Sequence, residues 1–129
     1  MRFMMLLPAP PDVLERIGNK PDPAVVTAMR NYNDEMRRAG VLLLAERLHP
    51  TSKGARMKVI GGKKVVTDGP FAEGKEVIAG FWLIQAKTKE EAVEWAQRCP
   101  LPEQGLLELR QVFENCDFPV DLQERHAGA

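Results

Sequence analysis

The sequence predicts an α+β domain on the ferredoxin-like βαββαβ plan, with a β-hairpin inserted after the second strand. Three observations carry this expectation. Apolar, β-prone runs and helix-like segments alternate in the order strand, helix, strand, hairpin, strand, helix, strand. Helix-start signals stand at Asp22-Pro23 and at Thr88-Lys89-Glu90-Glu91. A Gly61-Gly62 pair separates two β-branched runs, which marks a tight hairpin turn.

Phe3 to Leu7 forms the first expected strand, apolar on both faces. Pro8, Pro10, Pro11, Pro21 and Pro23 punctuate the loop after it, with a short helical turn around Val13 to Ile17. Asp22 caps the first long helix and Pro23 occupies its first position, where the missing N–H costs nothing. The helix runs to about Ala39, with Val26, Met29, either Tyr32 or Asn33, and Met36 on one stripe, and Gly40 ends it. Val41 to Ala45 follows as a strand reaching toward Leu48. Met57 to Ile60 and Lys63 to Thr67 are the two arms of the hairpin, which Asp68-Gly69-Pro70 terminates. Val77 to Gln85 gathers valine, isoleucine, phenylalanine and tryptophan into the strongest strand. The Thr88–Glu91 capping box opens a helix that ends before Pro100, and Leu106 to Phe113 is the last strand. The domain is expected to span residues 1–113. Residues 114–129 are expected to form a tail whose last five residues are mobile.

A chain of 129 residues with 44% hydrophobic side chains can bury one core without disulfide or metal staples. Its formal net charge of zero argues against nucleic-acid binding, which normally needs a basic face. The apolar run at the N-terminus stops at Pro8, too short for a secretory leader or a membrane span. A cytoplasmic protein with reduced Cys99 and Cys116 is expected, with no membrane association. Neither cysteine lies in a C-x-x-C or beside a histidine, so no metal or redox role is expected of them. Phosphate-loop, dinucleotide and H-E-x-x-H motifs are absent, and Ser52, the only serine, has no nucleophile-elbow context. No cofactor is expected. Two helices can cover only one face of a four-stranded sheet, yet three strands are apolar on both faces. A homodimer with two sheets packed face to face is the expected solution.

The stretch from Val66 through Asp68-Gly69-Pro70-Phe71 to Trp82 is similar to the signature of the DGPF proteins, a branch of the YCII-related family. The opening Phe3 to Leu7, the Ala39-Gly40-Val41 helix exit, the Leu48-His49-Pro50 step and the Lys63 hairpin resemble that family in order and spacing. The resemblance covers about residues 1 to 113 and implies a dimeric α+β barrel. Most DGPF proteins have no assigned activity. Some are encoded beside, or joined to, extracytoplasmic-function sigma factors, and the wider group is often proposed to be enzymatic because of a shared histidine and aspartate. Related barrels include isomerases, lyases, monooxygenases and ligand sensors, so the fold alone selects none of these.

Asp68 is the central candidate. Its carboxylate suits an Asx-turn, and equally suits proton transfer if a cavity lies beside it. Phe71 is expected to be a core or pocket-wall side chain rather than a catalytic one. Glu73, Lys75 and Glu76 are expected either to be solvated or to rim the pocket, the lysine attracting an anionic group. The resemblance implies departure at Gly74, where relatives commonly carry a hydroxyl side chain. His49 follows the second strand, and if it meets Asp68 the two form an acid–base pair. The leading expectation is a pocket for a small polar or acidic metabolite, with cofactor-free isomerase- or lyase-like chemistry using His49 or Asp68 as base. The alternative is a non-catalytic ligand sensor or partner of a sigma-factor-type transcription regulator.

Overall fold

The computed structural model describes residues 1–71 and 76–124. The expected site residues Glu73 and Lys75, the departure at Gly74 and the expected mobility of the last five residues lie outside the described residues. In chain order the elements are β1 (Arg2–Ala9), α1 (Pro11–Asn19), α2 (Pro23–Arg38), β2 (Leu42–Arg47), β3 (Ala55–Ile60), β4 (Lys63–Asp68), β5 (Val77–Gln85), α3 (Lys89–Gln97) and β6 (Glu108–Gln111). Short 3-10 turns occupy Thr51–Lys53, Asn115–Asp117 and Val120–Leu122.

The main sheet has the order β2-β5-β1-β6 with every neighbouring pair antiparallel, which is the ferredoxin-like arrangement. The hairpin β3–β4 forms a separate two-stranded sheet. Its turn residues Gly61 and Gly62 have φ of 57° and 79°, the left-handed pair that a two-residue hairpin loop needs. Asp22 accepts the Ala24 N–H at 2.9 Å, as a capping residue should. At the other end of α2, Val41 N–H donates to Met36 and Gly40 N–H to Arg37, a Schellman closure around Gly40.

Three elements differ from expectation. The turn around Val13 is a two-turn helix, because Pro11 stands in its first turn and Leu14 finds a buried position. The last strand is shorter, since only Glu108 to Gln111 lie opposite β1 residues Phe3 to Leu6. The capping box is shifted at one contact. Thr88 Oγ1 accepts the Glu91 N–H at 3.1 Å, but the Glu91 carboxylate accepts from Lys87 N–H rather than Thr88. Thr88→Ala is therefore expected to cost about 1 kcal/mol in a denaturant melt, with the Lys87 contact left in place.

One sheet face carries the core. Phe3 and Met5 of β1 lie opposite Ile84 and Trp82 of β5, under Tyr32 and Met36 of α2 and Ala92 of α3. Both alternatives for the α2 stripe are used: Tyr32 is buried, and Asn33 accepts the Trp82 indole N–H at 2.7 Å. The Tyr32 hydroxyl donates to the Trp95 carbonyl at 2.7 Å, and burial raises its pKa well above the ordinary value. Burial also pushes the Cys99 thiol up to about 11, so it packs as a small apolar group.

The opposite face presents Met4, Leu6, Phe81 and Leu83, half-buried, with Leu44 exposed beside Leu83. β1 and β6 are held at the Arg2 end by a two-pronged pair, Arg2 Nε and Nη2 donating to the Glu114 carboxylate at 2.8 and 3.0 Å. Arg2 holds the Glu114 carboxyl below its usual range. The pair's contribution is present above the unfolded carboxyl pKa and is lost as pH falls through the lowered folded value. It is a surface pair, so that contribution is small.

Candidate functional site

The functional candidates gather at the end of the sheet where β1 and β2 finish and β5 begins. β2 leaves through Leu48, whose N–H donates to the Ala79 carbonyl at 2.8 Å, and delivers His49 and Pro50 into the 3-10 turn Thr51–Lys53. That turn is anchored from below by α1, where the Glu15 carboxylate accepts from both Ser52 N–H and Ser52 Oγ at 3.3 Å.

The Asp68-Gly69-Pro70-Phe71 segment closes over the same turn. Gly69 N–H donates to the Gly54 carbonyl at 2.9 Å, and Phe71 N–H donates to Thr51 Oγ1 at 3.0 Å. Gly69 lies so close to the Thr51 backbone that a Cβ there would overlap its carbonyl oxygen. The Gly69–Pro70 peptide bond is cis. The Phe71 ring in turn carries the Arg56 guanidinium, 4.1 Å from its centroid. The segment therefore works as a clasp between the end of the hairpin and the turn after His49.

The clasp encloses one side of an open cavity of about 590 Å³. Pro8, Leu48, Val77 and Ile78 form an apolar wall, and His49, Lys53, Arg56 and Glu76 supply the charged or ionisable groups. Of the candidates from sequence, His49, Phe71 and Glu76 share this cavity. Asp68 does not line it; it is exposed at the end of β4, opposite Ala55. Among the described residues the turn after Asp68 is held by Gly69 and Phe71 backbone groups, and no side-chain hydrogen bond of Asp68 contributes.

Thr51, Lys53 and Arg56 also line this cavity, and the sequence reading did not single them out. Only one signal pointed to them, the hydroxyl pair Thr51-Ser52 placed directly after His49-Pro50. Arg56 read as one more charge on a hairpin arm, because nothing local announces that it will stack on Phe71, fifteen residues away in sequence. Chemically the lining offers two cations for a carboxylate or similar anion, an imidazole and the Glu76 carboxylate on the same cavity, and an apolar wall for the rest of a small molecule. Among the described residues no group of three His, Cys, Asp or Glu side chains is arranged to hold a metal ion. No described helix is long and apolar enough to cross a membrane.

A ferredoxin-like antiparallel sheet, an inserted hairpin and a clasped cavity at the strand ends define a small α+β domain of a recognisable class. The match to the YCII-related domain model runs over residues 1–115, and the chain belongs to that family. It is also similar to the uncharacterized protein R00369 of Rhizobium meliloti (strain 1021), with 42% identity over 59 residues. That alignment takes in 46% of this chain and 48% of the relative, so the chain spans about half the length of the curated relative it matches.

Proposed function

We propose that this protein is a cytoplasmic homodimer that binds a small acidic metabolite in the clasped cavity and moves a proton on it without a cofactor. The observation that carries this reading is the convergence of His49, Lys53 and Arg56 on one cavity with an apolar wall. The Arg56 guanidinium lies 4.1 Å from the Phe71 ring centroid, a contact that restrains it and lowers the entropic cost of binding a carboxylate. In an isomerase-like reaction, His49 takes a proton from the carbon next to a substrate carbonyl and returns it to a neighbouring atom. In a lyase-like one, the carbon–oxygen bond at the next carbon breaks as the double bond forms, and the proton held by His49 passes to the departing hydroxide to give water. There is no net redox change in either case. His49 has the base role ahead of Asp68 because it lies on the cavity lining. The domain proper covers residues 1–113 and the following segment is an appendage. Dimerisation buries the apolar sheet face of Met4, Leu6, Phe81 and Leu83, opposite the face that α2 and α3 cover.

A titration of small keto acids and hydroxy acids against the wild type and two variants tests it. Arg56→Met is expected to weaken carboxylate binding by about 10–100-fold, the worth of a charge-assisted hydrogen bond, and to leave the matched amides unchanged. His49→Asn is expected to keep binding and abolish turnover. Wild-type binding that survives both changes intact, with turnover unchanged, removes the proposal.

A second reading is favoured by one observation: the signature segment is occupied by the clasp, and its carboxylate stands off the cavity. Under it the same pocket senses a ligand for a transcription-regulator partner of the sigma-factor type. Ligand binding without turnover in the wild type then follows, and Asp68→Ala leaves that binding unchanged.

A further inference from the structure

Every residue of the hairpin β3–β4 is exposed. An isolated two-stranded hairpin is at best marginally stable in water, so one that projects with both faces open calls for a covering surface. Its side chains agree. On one face Met57 lies directly opposite Val66, 69% and 60% exposed, with Val59 beside them; the other face carries Ile60 and Val65, also exposed. Between Ala55 and Asp68 the arm holds the cations Arg56, Lys58, Lys63 and Lys64 against the single acid Asp68. Lysines on exposed strands guard against edge-to-edge pairing, but that leaves the apolar side chains between them unaccounted for.

The segment after β6 has the complementary character. Between Phe113 and Glu124 there are four acids, Glu114, Asp117, Asp121 and Glu124, and no lysine or arginine. Phe113 (62% exposed) stacks edge-on against Phe118 at 4.5 Å, and Val120 (85%) and Leu122 lie exposed beyond them. The segment is not a frayed end. Asp117 accepts the Glu114 N–H at 2.8 Å, and the Asn115 side chain bonds Glu124 N–H and carbonyl at 2.8 and 3.0 Å. It is a preformed loop with apolar side chains outward, which lowers the ordering cost of docking.

The two surfaces leave from diagonally opposite corners of the sheet. The hairpin departs at the Arg47–Gly80 end along the β2 edge, and the acidic loop at the Phe3–Gln111 end along the β6 edge. Among the described residues no side-chain hydrogen bond or ion pair joins them. A two-fold axis lying between stacked sheets can set each corner over the opposite corner of its mate, making the same contact twice. We propose that the basic, apolar β3–β4 hairpin of one chain docks on the acidic, apolar 113–124 loop of a second copy. This rests on the homodimer reading and adds to the sheet-face contact a charge-paired arm on each side.

Two charge-reversed proteins test it by sedimentation, with far-UV spectra and thermal melts as the check on folding. One carries Lys58→Glu, Lys63→Glu and Lys64→Glu; the other carries Asp121→Lys and Glu124→Lys. Each alone is expected to dissociate at least about tenfold more readily than wild type, since like charges then face each other. An equimolar mixture is expected to recover wild-type dimerisation, because in the mixed dimer both contacts are again of opposite sign. Added salt is expected to weaken the wild-type dimer. A wild-type dimer unaffected by either set of changes, or no recovery on mixing, overturns the docked arm and leaves the sheet-face homodimer standing. A monomeric wild type overturns both.

Discussion

Gly69→Ala is expected to lower stability by about 2–3 kcal/mol, the upper range for forcing atoms into a packed site, and to abolish ligand binding at the cavity. The added Cβ has no flexible side chain to push aside. It meets the Thr51 carbonyl, part of the 3-10 turn that Glu15 anchors from the other side. Either Gly69 retreats, breaking its hydrogen bond to Gly54, or the turn moves and takes Thr51 away from Phe71. Both routes loosen the Phe71 platform on which Arg56 rests. Thermal melts of the variant and wild type, with a carboxylate titration of each, give the two readouts. Thr51→Val is the milder companion: it removes the acceptor of the Phe71 N–H, and is expected to cost about 1–2 kcal/mol and weaken binding less.

Phe81→Asp is expected to convert a dimer to a monomer in light scattering while leaving the far-UV spectrum intact. Phe81 lies opposite Leu6 on the face away from α2 and α3, so the substitution does not touch the core of Phe3, Met5, Trp82 and Ile84. In an isolated chain the new carboxylate is solvated. Between two apolar sheets it would be buried without a partner, a cost of several kcal/mol. A dimer that persists at micromolar concentration would place the interface elsewhere.

Features set by neighbours in the chain were legible in the sequence, and features set by distant contacts were not. The Gly61-Gly62 turn, the Asp22 and Thr88 caps and the Gly40 helix exit each follow from a few adjacent residues, and all four are present. The lack of apolar–polar alternation in β1 and β5 showed that both faces are apolar, and the structure puts one of them against α2 and α3. The site was half legible. His49, Phe71 and Glu76 were singled out and share a cavity. Arg56 and Lys53 were not, because their place on the cavity depends on how the hairpin and the 3-10 turn fold back. The weight placed on Asp68 fell on its carboxylate, whereas the fold draws on the missing side chain of the next residue, Gly69.

We propose that the clasped cavity receives an acidic small molecule on Arg56, within reach of His49. Nitrogen-labelled NMR of the Arg56 Nε–H and the His49 ring, during titration with small keto acids and their amides, tests it most directly. A carboxylate is expected to shift both signals together in a saturable way, and its amide to shift neither. Saturable carboxylate binding that moves neither signal, or equal shifts from acid and amide, would contradict it.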